Sequence, residues 1–219
     1  MSADPSALRS VSRSRQLYQK SARAFRWLHI YLSMLGFATL MFFSFTGITL
    51  NHPSWLGANE AKVEDSSGSL PEALLKGLAE AAEGSAERKA FESAIAAYLS
   101  ESHGLKGKAS ELQADEFEIY LAFKGPGYSA DAFIDADSGS YTVTEADNGA
   151  MALLNDLHKG RDSGEAWRWV IDISAVLMLL MSISGFGLLL YIRKRRTSGV
   201  LTAVAGTVVL VLAWVLWVP

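Results

Sequence analysis

Cysteine is absent from all 219 residues. That excludes disulfides, cysteine-ligated iron–sulfur clusters and thioether-linked haem, so any haem here is held non-covalently. Charge is missing from three long stretches: Trp27–Leu50, Ile173–Ile192 and Thr197–Pro219 carry no formally charged residue, and His29 is their only imidazole. A bilayer core is spanned by roughly 20 apolar residues at 1.5 Å rise each, so every one of these runs is long enough to cross. A soluble protein of this length would have too little chain left to cover three such helices.

Acidic residues are scarce at two places, and this orients the chain. The segment before Trp27 carries Arg9, Arg13, Arg15, Lys20, Arg23 and Arg26 against Asp4 alone, and the short loop after the second run reads Arg193-Lys194-Arg195-Arg196. The stretch 53–172 holds 22 of the 23 Asp and Glu residues but only half of the 20 Lys and Arg. Basic flanks stay cytoplasmic. The expected topology is a cytoplasmic basic N-terminus over 1–23, a first membrane helix over 24–52, an external domain over 53–164, a second helix over 165–192, a cytoplasmic loop over 193–199 and a third helix over 200–218. The C-terminus then lies outside. The basic N-terminus is a topology signal rather than a nucleic-acid site. The first run is too long for a removed signal peptide and lacks a small-residue cleavage site.

The external region reads as a small α+β unit. Residues 57–70 form a polar linker, and 71–82 and 85–102 have helical composition. Ala90, Phe91, Ala94, Ile95, Tyr98 and Leu99 recur at helical spacing on one face. Glu116 to Phe123 alternates as a strand, and Gly125-Pro126-Gly127 is a turn. Ala130 to Ile134 and Tyr141 to Thr144 flank an Asp/Ser/Gly turn, and 147–158 returns to helix. No internal repeat is evident. Residues 1–20 are read as disordered or lying on the membrane surface.

The four histidines carry the chemistry. His29 lies near the cytoplasmic end of the first helix, and His52 lies 23 residues on, roughly 34 Å away along a straight helix. His158 precedes the second helix at the depth of His52, the arrangement that bis-imidazole ligation of a haem between helices needs. The alternative is that each ring hydrogen-bonds interfacial water or lipid headgroups. His103 is a helix-end residue. Arg26 beside His29, and Lys159, Arg161 and Arg168 around His158, offer cations to haem propionates, though membrane helix ends attract such residues anyway. Ser33, Gly36, Ser44, Gly47, Ser182, Ser184, Gly185 and Gly187 permit close helix approach. Asp172 is expected to pair with Arg168 one turn away. No nucleophile–base pair, phosphate loop, zinc pattern or dinucleotide fingerprint is present.

Trp27-Leu28-His29-Ile30-Tyr31 with Phe45-Thr46-Gly47-Ile48, and Asp156-Leu157-His158-Lys159-Gly160 with Ser182-Ile183-Ser184-Gly185-Phe186, are similar to the helices of PepSY-associated transmembrane proteins. Ile134 to Tyr141 resembles the terminal strand pair of a PepSY unit. The resemblance covers residues 25–195. It implies a three-helix membrane protein with an external PepSY-like α+β domain in a bacterial inner membrane. Family members include haem-b membrane reductases linked to siderophore and iron uptake. The resemblance therefore implies one or more haems b, with His52, His158 and His29 as iron ligands and Arg26, Arg161 and Arg168 near the propionates. It further implies a cytoplasmic or membrane electron donor and a periplasmic acceptor, such as a ferric complex. Larger members carry a fourth helix and a second inner-side histidine, which this chain lacks. A two-fold dimer whose two His29 rings share a haem would supply it. The alternative function is a non-enzymatic, membrane-anchored PepSY module that binds a periplasmic protein partner.

Overall fold

A computed structural model describes residues 5–55, 61–110, 112–115 and 117–219, with side chains from Arg15 onward. The elements are α1 (Pro5–Leu35), α2 (Phe37–Asn51), β1 (Lys62–Ser69), α3 (Glu72–Glu80), α4 (Ala86–His103), β2 (Lys108–Ala109), β3 (Gln113–Ala114), β4 (Glu118–Gly125), β5 (Tyr128–Asp135), β6 (Ser140–Asp147), α5 (Gly149–Lys159), α6 (Gly164–Tyr191) and α7 (Arg196–Trp217). They fall into two compact units, residues up to Met41 with Asp172–Pro219, and Phe42–Ile171.

Helices α6 and α7 are each long and apolar enough to cross a membrane, and α1 with α2 makes a third if the bent pair is one span. Nearly all of α7 is exposed in the isolated chain, as a lipid-facing helix must be. The apolar helices mark a membrane protein.

Two expectations about the first helix change. It begins in the basic segment, at Pro5 rather than near Ala24. It is also not one straight rod, for α1 and α2 are bent by 56° at Gly36. There the Thr39 hydroxyl donates to the Gly36 carbonyl at 2.9 Å, and the Met181 thioether sits where a Cβ on Gly36 would be, 2.5 Å away. A side chain wedged against a glycine is a common cause of a helix kink.

Within the first unit α1 packs antiparallel to the later part of α6 through small residues. The Tyr18 hydroxyl donates to the Tyr191 carbonyl at 3.1 Å, Phe25 fills the space over Gly187, and the His29 ring lies on Gly185. Leu189 occupies the space over Gly199 of α7. Of the small residues expected at helix contacts, Gly36, Ser184, Gly185 and Gly187 receive a side chain of a neighbouring helix here, while Ser182 is exposed.

The second unit holds a six-stranded antiparallel sheet in the order β1-β6-β5-β4-β2, with β3 also on β4. Alternation sends Ile119, Leu121 and Phe123 of β4, Ala130, Ala132 and Ile134 of β5, and Tyr141 and Val143 of β6 into one core with Leu78 of α3 and Ile95 and Leu99 of α4. Ser85 caps α4 by accepting the Arg88 N–H at 3.0 Å. Ala90 is exposed, so the buried stripe of α4 begins at Phe91.

The polar segment read as a linker is mostly strand: Lys62–Ser69 is β1, paired from Lys62↔Asp147 to Ser69↔Ser140. Its Lys-Val-Glu-Asp-Ser-Ser-Gly-Ser sequence has no apolar alternation because it is an exposed edge strand, and its charges suit an edge. The earlier part of that linker, and Glu116 at the start of the predicted strand, lie outside the described residues.

Candidate functional site

His158 stands at the end of α5, and α5 is tied down on three sides. Its Asp156 carboxylate accepts the Gly127 N–H of the β4–β5 turn at 2.9 Å, and its Leu157 carbonyl accepts the Trp167 indole N–H at 2.8 Å. Toward α2, the Thr49 hydroxyl meets the Asn155 side-chain oxygen at 2.8 Å. These bonds deliver the His158 ring to α2, against Phe43 at 5.1 Å between centroids and with Cε1 over Gly47. Burial, then the neighbouring Lys159 ammonium, pushes the His158 pKa below the ordinary histidine value.

The ring's Nδ1 lies 2.6 Å from the Thr46 hydroxyl oxygen. That hydroxyl reaches the Phe42 carbonyl one turn back, also at 2.6 Å. His29 repeats the arrangement in the other unit. Its Nδ1 lies 3.0 Å from the Ser184 hydroxyl, which reaches the Met181 carbonyl at 2.9 Å. Thr46 and Ser184 are 1% and 2% exposed, so both contacts are shielded from competing water. Among the described residues neither Nε2 has a hydrogen-bond partner. Each receiving helix carries the same short pattern, Ser44-Phe45-Thr46-Gly47 and Ser182-Ile183-Ser184-Gly185. From the sequence, Ser44, Gly47, Ser182, Ser184 and Gly185 signal only close helix packing, and Thr46 stands out only within the segment that resembles the PepSY-associated helices.

His52 is placed differently. It follows the last residue of α2 and its ring stacks on Trp55, 3.9 Å between centroids and 7° from parallel. The α2 positions that meet His158 are Phe43, Thr46 and Gly47. At 3.6 residues per turn, position 52 falls about 180° around the axis from Phe43. No ring contact or hydrogen bond joins His52 to His158 among the described residues.

His103 ends α4 as expected, and its Nε2 lies 2.9 Å from the Tyr141 hydroxyl; Gly104, at φ 67, is the cap. Arg161 reaches Asp156 at 3.8 Å. Arg26 and Arg168 are exposed and form no ion pair among the described residues. The pair expected for Asp172 is likewise missing among them.

For a non-covalent haem the chain must offer an unprotonated imidazole nitrogen whose ring is oriented through the other nitrogen. His158 and His29 each have one ring nitrogen on a hydroxyl and the other without a hydrogen-bond partner among the described residues. His52, by contrast, is stacked on an indole and has neither nitrogen oriented by a hydrogen bond among them. Among the described residues no group of three or more His, Asp or Glu is gathered as a metal site.

No curated protein and no solved structure matches the chain. A family profile does, over residues 23–219, which takes in the apolar helices, the sheet domain and both histidine sites. By that match this chain belongs to the PepSY_TM-like family.

Proposed function

We propose that this PepSY-type membrane protein is a haem-b electron carrier, with iron ligands at His158 and His29, one in each unit. The observation that carries the reading is the shared state of the two rings: each is half-buried, each has Nδ1 on a shielded hydroxyl, and each keeps Nε2 without a partner among the described residues. Haem iron so bound supplies a reversible one-electron couple. Arg26 and Arg168, which form no ion pair among the described residues, are cations available to propionates, and Arg161 is partly engaged by Asp156. His52 is left out of the ligand set because, among the described residues, no hydrogen bond orients either of its ring nitrogens and its ring only stacks on Trp55. The charge asymmetry supports a cytoplasmic N-terminus and an external sheet domain, and in this reading electrons pass outward from an inner or membrane donor to a periplasmic acceptor such as a ferric complex.

Absorption spectra of the purified full-length protein, oxidised and then reduced, test this. The wild type is expected to show the Soret and α bands of imidazole-ligated haem b. His158→Ala and His29→Ala should each remove or convert part of that spectrum, while His52→Ala leaves it intact. A protein that takes up no haem, or whose spectrum ignores both substitutions, refutes the reading.

The second reading, a partner-binding module, has its own observation. The sheet face opposite α3 and α4 leaves Phe117 and Phe133 72% and 44% exposed. Tyr120 lies 5.1 Å from Phe133, and Glu118, Asp131 and Asp135 surround them. An aromatic patch ringed by carboxylates suits a basic protein segment. A haem-free protein whose function is lost on Phe133→Ser would favour this alternative.

A further inference from the structure

A hydroxyl carries a single proton, and this constrains both histidines. The Thr46 hydroxyl lies 2.6 Å from the Phe42 carbonyl, and the Ser184 hydroxyl lies 2.9 Å from the Met181 carbonyl. Serine and threonine within a helix commonly donate back to the preceding turn in this way. With its proton so used, each hydroxyl meets its imidazole as an acceptor only. The Nδ1 beside it must then be the protonated nitrogen, and Nε2 keeps the lone pair. We propose that Thr46 and Ser184 are positioning residues that hold His158 and His29 in the Nδ1–H tautomer, so that both rings present an unprotonated Nε2.

A glycine follows each hydroxyl residue, and at Gly185 it provides clearance that the ring needs. Gly47 and Gly185 lie under the Cε1 edge of the ring, where a Cβ would come within 3.7 and 3.0 Å respectively. The His29 ring therefore needs the bare backbone of Gly185 to bring its Nδ1 to Ser184, whereas the His158 ring stands at ordinary contact distance over Gly47. One local pattern, Ser/Thr followed by Gly on a receiving helix, thus seats an imidazole twice. The use of each Nε2 as an iron ligand rests on the haem reading above, whereas the tautomer does not.

The decisive measurement uses the haem-free full-length chain, labelled with ¹⁵N-histidine and embedded in lipid nanodiscs. At about pH 8, well above the ordinary histidine pKa of ~6.5, the ring nitrogens report directly which one is protonated. His158→Gln and His29→Gln assign the signals. In the wild type both residues are expected as Nδ1–H. Thr46→Val should return His158 to the Nε2–H form that a free neutral histidine side chain favours, without changing His29, and Thr46→Ser should restore it. Ser184→Ala should do the same to His29 alone, with Ser184→Thr as the rescue. Should Thr46→Val fail to fold, the wild-type spectrum and the Ser184 pair decide the matter. Finding Nε2–H at both residues of the wild type overturns the proposal, as does a tautomer indifferent to loss of the hydroxyl. Titration with haem then separates the two claims. If haem binds, loss of either hydroxyl should weaken its site roughly 10–100-fold. If haem never binds while the tautomers respond as described, the electron-carrier reading falls and the positioning role stands.

Discussion

The two receiving glycines differ in how much room they leave, and this separates otherwise matching substitutions. A methyl on Gly185 would stand 3.0 Å from the His29 Cε1 and 3.4 Å from its Nδ1, so the ring must shift by tenths of an ångström and strain its bond to Ser184. A methyl on Gly47 would stand 3.7 Å from the His158 Cε1, an ordinary contact. Gly185→Ala is therefore expected to weaken the His29 site by roughly tenfold, the scale of losing an orienting contact, while Gly47→Ala is tolerated at His158. Haem titration of the two variants checks this, and equal behaviour would show that ring clearance is not what these glycines provide. The same residues show how far a side chain can be read alone. His29 and His158 were identifiable as polar rings near apolar helices, but their partners lie 155 and 112 positions away in the chain. The stacking of His52 on Trp55, three residues on, is a local contact that no apolar periodicity or motif announces.

Helix α5 depends on one turn of the sheet. Gly127 has φ 68, a left-handed conformation costing an L-residue about 1–2 kcal/mol, and a Cβ there would meet the Leu153 backbone nitrogen at 2.7 Å. Backbone cannot swing aside as the end of a long side chain can. Gly127→Ala should therefore lift α5 from the β4–β5 turn and break the bond from the Gly127 N–H to Asp156. Hydrogen exchange over residues 149–159 is expected to accelerate, with the His158 site loosened in consequence. Unchanged protection of α5 would show that its other two attachments suffice. The strands of this domain followed from alternation wherever one face is buried, as in β4, β5 and β6. Strand β1 did not, because an edge strand held by backbone hydrogen bonds needs no apolar pattern. The bend at Gly36 was hidden for a related reason. A glycine and a threonine three residues on are common in membrane helices, and only the Met181 side chain arriving from α6 shows why this one departs from straight.

The complete chain should cross the membrane with the acidic domain on one side and the 193–196 loop on the other. The absence of cysteine makes this simple to test, because single cysteines can be introduced without a background signal. Glu83 and Ser198 are both exposed. In spheroplasts a membrane-impermeant maleimide should label Glu83→Cys at once and Ser198→Cys only after the membrane is opened. Labelling of both from the outside would overturn the odd number of crossings. The same chemistry bears on α7, whose lipid-exposed surface should exclude the reagent along its central turns.

Composition and charge order by themselves determined that this is a membrane protein, which segments are apolar enough to span, and that one acidic α+β domain is inserted between the first and second of them. These are one-dimensional properties, since a run of uncharged residues or a cluster of arginines acts through its own hydration whatever else the chain does. Tertiary structure decided which histidine meets which hydroxyl, that His52 stays with its own tryptophan, and that a polar stretch closes the sheet as an edge strand. Each of these depends on groups that are distant in sequence or carried by backbone alone, and a hydrogen bond exists only once both partners have been brought within about 3 Å of each other.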